Sequence, residues 1–437
     1  MRRQLAAAAL LTLAFAPQAL RSQEPAKIAL VGGRVYSVSS PPIDNGVVLI
    51  DGDTIEAVGA GLAVPAGYQR VSVAGQSVFP GLINASTALG LVEYGGLVPS
   101  AVDDNETTDP VTPQMRVTDA LRLDSRNMPV ARKYGITTVL VAPGESNVFA
   151  GQSAVVSLAG GQDVVVKAPQ AMHINMGEPP RAYGQRNRMP MTRMGIAAII
   201  RQTLIDAQQY AAKKQKDPDT ATDARFEALL PVLDGRVPAY VRATRMDDIL
   251  TALRLTDEFK LKTVLVDGVD AYKVADELAK RDIPVLLGPT TTQPDSIESS
   301  GAIYENAALL HKRKVRIAIT TGGAQQAGQL PFEAGMAAAY GLDRDEALRA
   351  ITINPAQILG IADRFGSLEK GKIADVVVAE GLILQPRAKV TRVYIRGKAI
   401  DLRTWQEDFQ DQYMPRGAKP PTSTQPAPRA RGGENRR

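Results

Sequence analysis

Short apolar runs alternate with helix-forming segments over most of this chain, and this alternation constrains the fold more than any other sequence feature. Because parallel neighbours need a long crossover, usually a helix, strands separated by helices predict a parallel sheet. The 437 residues suffice for one large barrel with an appendage. The candidate strands are VFPGLIN, GITTVLVAPG, PQAMHINM, VPAYVRA, KTVLVDG, IPVLLGP and VRIAITTGG.

The two ends of this region carry a different pattern, with short alternating runs joined by Gly and Asp-Gly turns. Such runs are typical of β-hairpins. They occupy Lys27 to Val73 and return after Gly371 as ADVVVAE, KVTRVYIRG and KAIDL. We therefore expect one small β-sandwich built from residues 23–77 and 361–414, flanking an α/β barrel at 78–360.

The outermost segments indicate export and disorder. Residues 1–22 contain Arg2 and Arg3 before an apolar run from Leu5 to Ala16, which is typical of a cleaved signal peptide. That run is about 12 residues, whereas a membrane helix needs roughly 20, so no retained membrane span is expected. With no Cys, the chain has no disulfides, and a periplasmic or secreted location is expected. Residues 415–437, basic and Pro-rich, are predicted to be disordered.

The formal net charge of +5 does not indicate nucleic-acid binding. The excess positive charge lies in residues 1–22 and 415–437, which leaves residues 23–414 with a formal net charge of −3. A basic tail on a mildly acidic body is unlike the basic face of a nucleic-acid-binding domain.

Three motifs resemble the amidohydrolase superfamily, nearest its imidazolonepropionase and prolidase-like members: VFPGLINASTALGL, GITTV at 135–139 and INPAQILGIADRFGSLEKGKIADVVV at 353–378. The resemblance implies the α/β fold class of that superfamily, a (β/α)8 TIM barrel with a small β-sandwich formed by the N- and C-terminal segments. It also implies zinc or another divalent metal, held by several His, a carboxylated Lys and an Asp at the ends of the barrel strands.

This sequence departs from the family at every one of those metal positions. The chain has two His and no Cys, whereas the family's site needs several imidazoles. A hydroxyl, a methyl and a guanidinium are poor or impossible ligands for a divalent metal at neutral pH. No metal cofactor is therefore expected. The positions that match the family's ligands are Ser86, Ala88, His173, Arg242, Asp267 and Gly322.

Polar residues at the carboxyl ends of the strands are the remaining candidates for function, because the active site of such a barrel lies there. Arg242 and Asp267 could form an ion pair in place of the metals and only neutralise the cavity. Arg242 and Arg245, with Ser86 and Asn175, could instead bind a small anionic ligand. His173, oriented by Asp267, is the candidate catalytic base.

Two other segments are predicted to have no catalytic or binding role. The stretch PGESNVFAGQ lacks the spacing of a phosphate loop and is predicted to be a turn. The acidic residues Asp103, Asp104, Glu106 and Asp109 lack EF-hand spacing and are predicted to lie in a solvated or interface loop.

Three functions are consistent with these residues. The first is a metal-free pseudoenzyme that acts as a binding or partner subunit, with an active amidohydrolase paralogue or a second copy as its partner. The second is an atypical hydrolase acting on C–N bonds of amides, cyclic amides or dipeptides. The third is a periplasmic protein that binds a small anion.

Overall fold

A computed structural model describes residues 27–93, 101–161 and 163–414, so the predicted signal peptide and basic tail lie outside the described residues. Its strands are β1 Lys27–Val35, β2 Ile43–Asp51, β3 Thr54–Ala60, β4 Gln69–Ser72, β5 Ser77–Pro80, β6 Leu82–Thr87, β7 Ile136–Val141, β8 Phe149–Gln152, β9 Ala154–Ser157, β10 Val165–Lys167, β11 Met172–Asn175, β12 Ala239–Ala243, β13 Thr263–Asp267, β14 Val285–Leu287, β15 Ile317–Ile319, β16 Val376–Glu380, β17 Lys389–Ile395 and β18 Lys398–Ala399. Its helices are α1 Asn127–Lys133, α2 Arg193–Lys216, α3 Ala224–Leu233, α4 Met246–Phe259, α5 Ala275–Lys280, α6 Asn306–Lys312, α7 Leu330–Ala339, α8 Arg344–Arg349, α9 Ile353–Ile358 and α10 Trp405–Tyr413.

The strands of the two chain ends share one eight-stranded sheet, in agreement with the predicted sandwich of N- and C-terminal segments. Its order is β18-β17-β16-β5-β1-β2-β3, with β4 paired to β1. Strand β16 pairs antiparallel with β5, so Val377 lies opposite Phe79. Apolar residues of both ends, including Leu30, Ile50, Val78 and Val376, pack into a single core.

The middle of the chain closes into the predicted eight-stranded barrel. We call each of the eight positions in its wall a stave, and β8 and β9 together form the third. Strands β11 to β15 pair in parallel in chain order, and β6 pairs in parallel with β7. The barrel closes between β15 and β6, where the Gly322 amide donates to Ser86 O at 3.1 Å and the Ala88 amide donates to Gly322 O at 3.0 Å. Side chains inside the barrel form one core, and side chains between strands and helices form another.

The third stave of the barrel runs against the other seven. Strand β9 pairs antiparallel with β7, and β8 pairs antiparallel with β11, so residues 149–157 cross the wall in the reverse direction. The prediction that PGESNVFAGQ forms only a turn is therefore wrong for Phe149–Gln152. Between Val141 and Met172 the described residues contain no helix, because antiparallel neighbours need no crossover.

Local sequence explains where several helices begin. The Thr192 hydroxyl accepts from the Gly195 amide at 3.0 Å and starts α2, and the Asp343 carboxylate caps α8. Such N-caps satisfy amides that have no partner within the helix. Among the described residues, no helix has both the length and the hydropathy needed to cross a bilayer.

Asp375, which directly precedes β16, is buried where the sandwich meets the barrel. Its carboxylate accepts from the Arg396 amide at 2.9 Å and from the Thr138 hydroxyl at 3.5 Å. Burial outweighs these bonds and raises the pKa of Asp375 to about 6. The folded protein thus binds this proton more tightly than the unfolded chain, so the charged form destabilises the fold as pH rises above about 4.

We expect Asp375→Asn to raise the free energy of unfolding at pH 7 by about 2 kcal/mol, because the neutral amide avoids burying a charge but bonds less well to its neighbours. Urea unfolding at pH 7 and pH 4.5 measures the effect, which should be smaller at the lower pH. A variant less stable than wild type at pH 7 would contradict the assignment.

Candidate functional site

The inside of the barrel is lined by every second residue of each strand, and this places the candidate residues at its mouth. Tyr240 of β12 and Val266 of β13 belong to the inner core. Side chains two positions apart on a strand face the same side, so Arg242 and Thr244 also face inward. The mouth is the end of the barrel at which the parallel strands terminate.

Asp267 reaches the same space through an exception to this alternation. Leu265 of β13 packs on the outer side of the wall, so Asp267 would face outward in a regular strand. Its backbone instead adopts φ +78°, in the left-handed region that costs a non-glycine residue free energy. The carboxylate accepts from Arg242 Nη2 at 3.0 Å and from Thr244 Oγ1 at 3.0 Å.

Arg242 is held between two carboxylates. Besides Asp267, its Nη2 lies 2.9 Å from Glu145 Oε1. The Arg242 side chain is 23% exposed and that of Asp267 is 11% exposed, so this pair is largely withdrawn from solvent. The ion pair of Arg242 and Asp267 that the sequence suggested is therefore present, with a third member.

Glu145 is the member that sequence analysis missed. It lies in the loop just after β7, and its position beyond the carboxyl end of a barrel strand was the available signal. Partial burial is the main cause that raises the pKa of the Glu145 carboxyl, although the side chain is 44% exposed. The positive charge of Arg242 lowers this pKa, and the negative charge of Asp267 raises it further.

His173 lies below this network, inside the barrel. It is 5% exposed, and its Nε2 is buried without a hydrogen-bond partner among the described residues. Its ring lies 5.6 Å from that of Tyr240. Burial, and then the charge of Arg242, lower the pKa of His173 to about 3, so the imidazole is neutral at physiological pH. The hydrogen bonds of Asp267 go to Arg242 and Thr244, not to His173.

Two predicted ligand-binding residues have other partners. Asn175 is buried and donates to Gly144 O at 3.1 Å and Asn147 O at 2.9 Å, which fixes the loop that carries Glu145. Arg245 forms a two-point contact with Asp247, with both distances 3.1 Å. Their side-chain donors therefore stabilise a loop and a helix start.

The remaining family positions lie where β6 meets β15. Ser86 is buried, and its carbonyl accepts from the Gly322 amide as part of barrel closure. Beside it, Asn84 Nδ2 donates to Thr321 Oγ1 at 2.7 Å. These groups close the barrel wall. A small cavity of about 20 Å³ beside Asp267 has room for about one water molecule.

The donor set does not fit the metal that the family implies. Of the six matching positions, only His173 and Asp267 carry groups that bind divalent metals, and the carboxylate of Asp267 is already bonded to the Arg242 guanidinium. Within the described ranges, no group of three or more His, Asp or Glu side chains is arranged to hold a metal ion.

Comparison with known proteins agrees with this architecture. The model of the amidohydrolase family matches residues 239–400. The amidohydrolase tasK of Hapsidospora irregularis is 23% identical over 357 residues, which cover 74% of this chain. This chain spans only 36% of the length of that relative.

Solved structures extend the likeness over most of the chain. An amidohydrolase from Thermotoga maritima MSB8 is 34% identical, superposes with a TM-score of 0.82, and is covered over its whole length by 86% of this chain. A prolidase complexed with N-methylphosphonate-L-proline is 15% identical with a TM-score of 0.52, over 86% of this chain and 99% of its own; it shares the fold alone. The chain therefore belongs to the amidohydrolase family.

Proposed function

We propose that this protein is a metal-free member of the amidohydrolase family that acts as a binding or partner subunit, after export to the periplasm or beyond. The observation that carries the proposal is the ion-pair network of Arg242 with Asp267 and Glu145, at the place where the resemblance puts metal ligands. The guanidinium occupies that position and is bonded to the Asp267 carboxylate, so a dication would have to displace it to reach this ligand.

The charges at the mouth of the barrel also favour the partner-subunit function over the binding of a small anion. Arg242 is neutralised by two carboxylates and Arg245 by Asp247. A small anion would have to displace one of these carboxylates, so the network argues against the small-anion alternative. A partner subunit, either an active paralogue or a second copy, needs no free charge at the mouth.

We expect the purified protein to contain no stoichiometric zinc, manganese or nickel. Elemental analysis after exposure to excess zinc and desalting measures this. The variant Ser86→His with Ala88→His should also fail to bind metal tightly, because Arg242 remains. Adding Arg242→His to that pair removes the guanidinium, frees the Asp267 carboxylate and serves as the matched comparison. One or two tightly held zinc ions per wild-type chain, lost in Asp267→Ala, would overturn the proposal.

The atypical hydrolase remains a second candidate because its support is separate: the 34% identical relative is named an amidohydrolase. In this alternative, Asp267 or His173 would act on a C–N bond without metal. Assays of the purified chain on aminoacyl-proline dipeptides and cyclic amides distinguish the two. Turnover that is lost in Asp267→Asn but retained after treatment with a chelator would favour the hydrolase.

A further inference from the structure

The reversed third stave leaves part of the barrel wall without a helix, and a cavity of about 630 Å³ lies there. Most helices of the barrel layer cover the joints between parallel strands, but none is present among the described residues between Val141 and Met172. The cavity lies between Gln152 and Ser153, where β8 leads into β9, on one side and α3 on the other. Its volume falls in the range of about 300 to 1,000 Å³ that is usual for small-molecule sites.

The lining of this side cavity is apolar on the α3 side and polar on the strand side. Ala224, Ala228 and Pro231 of α3 face Pro169, which precedes β11. The one acidic lining residue on α3, Glu227, is already bonded to Lys214 and Tyr210. Mostly apolar walls with a few placed polar groups are typical of a ligand site.

Two glutamine residues that line the cavity each have an amide oxygen without a hydrogen-bond donor among the described residues. Gln152 is 7% exposed, and its Nε2 donates to Pro113 O at 3.0 Å, which fixes the orientation of the amide. No described residue donates to its Oε1. The Oε1 of Gln114 is buried and likewise has no partner within the described part of the chain. Unpartnered acceptors favour a ligand that brings N–H donors.

A second cavity of about 310 Å³ adjoins the first, and both are lined by Arg116 and Gln152. Its carboxylates outnumber its cation by four to one: the acidic lining residues are Asp103, Asp104, Glu106 and Asp119, against Arg116. Asp104 Oδ1 is buried and accepts no hydrogen bond from a described residue. The acidic lining favours a positive charge on whatever enters from the apolar side.

We propose that these adjoining cavities bind a small amphipathic amine, with its apolar body against α3 and its ammonium group beside Gln152 and the acidic residues. The ammonium donors would satisfy the amide oxygen of Gln152, and the apolar body would cover the Ala and Pro side chains of α3. The site lies outside the barrel mouth, so its ligand does not depend on the function proposed for the Arg242 network.

Calorimetric titration of the full chain with 4-phenylbutylamine, 4-phenylbutanol and 4-phenylbutanoate tests the proposal. The three probes share one apolar body and differ in the charge of the head group. We expect the amine to bind at least about tenfold more tightly than the alcohol, and the carboxylate to bind most weakly. Equal affinity for all three probes, tightest binding of the carboxylate, or no binding of the amine would overturn the proposal.

Variants locate the binding. Ala228→Trp fills the apolar side and should abolish amine binding, whereas Ala212→Trp, on the exposed side of α2, should leave it unchanged. Asp103→Asn with Asp119→Asn should weaken the amine about tenfold, since each charge at about 6 Å in water contributes roughly threefold, and should leave the alcohol unaffected. Asp124→Asn, at an exposed residue outside the cavities, is the matched control. Amine binding that survives Ala228→Trp would contradict the site.

Discussion

Acidification from pH 7 to pH 4 is expected to cost wild-type protein about 3 kcal/mol more stability than the variant His173→Gln. His173 is buried, and its pKa falls from 6.5 to about 3 on folding. The unfolded chain therefore takes up this proton first as pH falls. The stabilising contribution is complete above pH 6.5 and is lost as pH falls towards 3, whereas Gln has no proton to gain.

The comparison needs a variant because Asp375 acts in the opposite direction over the same pH range. Its raised pKa makes the fold gain stability on acidification, and this masks part of the loss in wild type. Urea unfolding of wild type and His173→Gln at several pH values isolates the imidazole. His311→Gln is the control, since His311 is exposed on α6 and is the only other His. Wild-type and His173→Gln curves that run parallel from pH 7 to 4 would refute the burial argument.

Arg242→Ala is expected to lower the free energy of unfolding at pH 7 by about 4 kcal/mol. The substitution leaves the largely buried Asp267 carboxylate, and Glu145 beside it, without their cation. Removing one partner of a buried ion pair costs about 3 to 5 kcal/mol, because the remaining charge is not solvated. Denaturant unfolding measures the loss, with Arg245→Ala as the control at a more exposed pair, expected to cost less than about 1 kcal/mol.

A double variant separates the unpaired charge from lost packing. Asp267→Asn removes the charge, and Asn tolerates the left-handed backbone at this position. Combined with Arg242→Ala, it should recover at least about half of the lost stability. A loss of less than about 1 kcal/mol in Arg242→Ala alone would mean that solvent already screens these carboxylates.

Much of the fold was predictable because each buried parallel strand appears in the sequence as a short continuous apolar run. Apolar runs such as KTVLVDG and the return of hairpin patterns at the chain end gave the barrel and the shared sheet. The third stave was not predicted from the sequence, because Gly151, Gln152 and Ser153 interrupt the apolar run in FAGQSAVVS. Its reversed direction follows from which neighbours it pairs with, and local residue patterns do not encode that choice.

The contacts between side chains at the mouth of the barrel were less predictable than the strands of its wall. Family positions pointed to Arg242, Asp267 and His173, since the residues at those strand ends are read directly from the sequence. Glu145 reaches Arg242 through a loop path, which is set by the bonds from Asn175 to Gly144 O and Asn147 O. The sequence also does not state that Arg245 bonds to Asp247, because this contact depends on the side-chain conformation at the start of α4.

The reversed stave also bears on how the barrel assembles. Strand β7 pairs with β9, and β8 pairs with β11, and no helix lies between these partners among the described residues, so each pairing closes a small loop. The seam between Thr87 and Gly322, in contrast, joins residues from opposite ends of the barrel. Because the entropy of loop closure must be lost before contacts form, local pairings form fastest. We therefore expect this antiparallel segment to pair early in folding and the seam between Thr87 and Gly322 to form last.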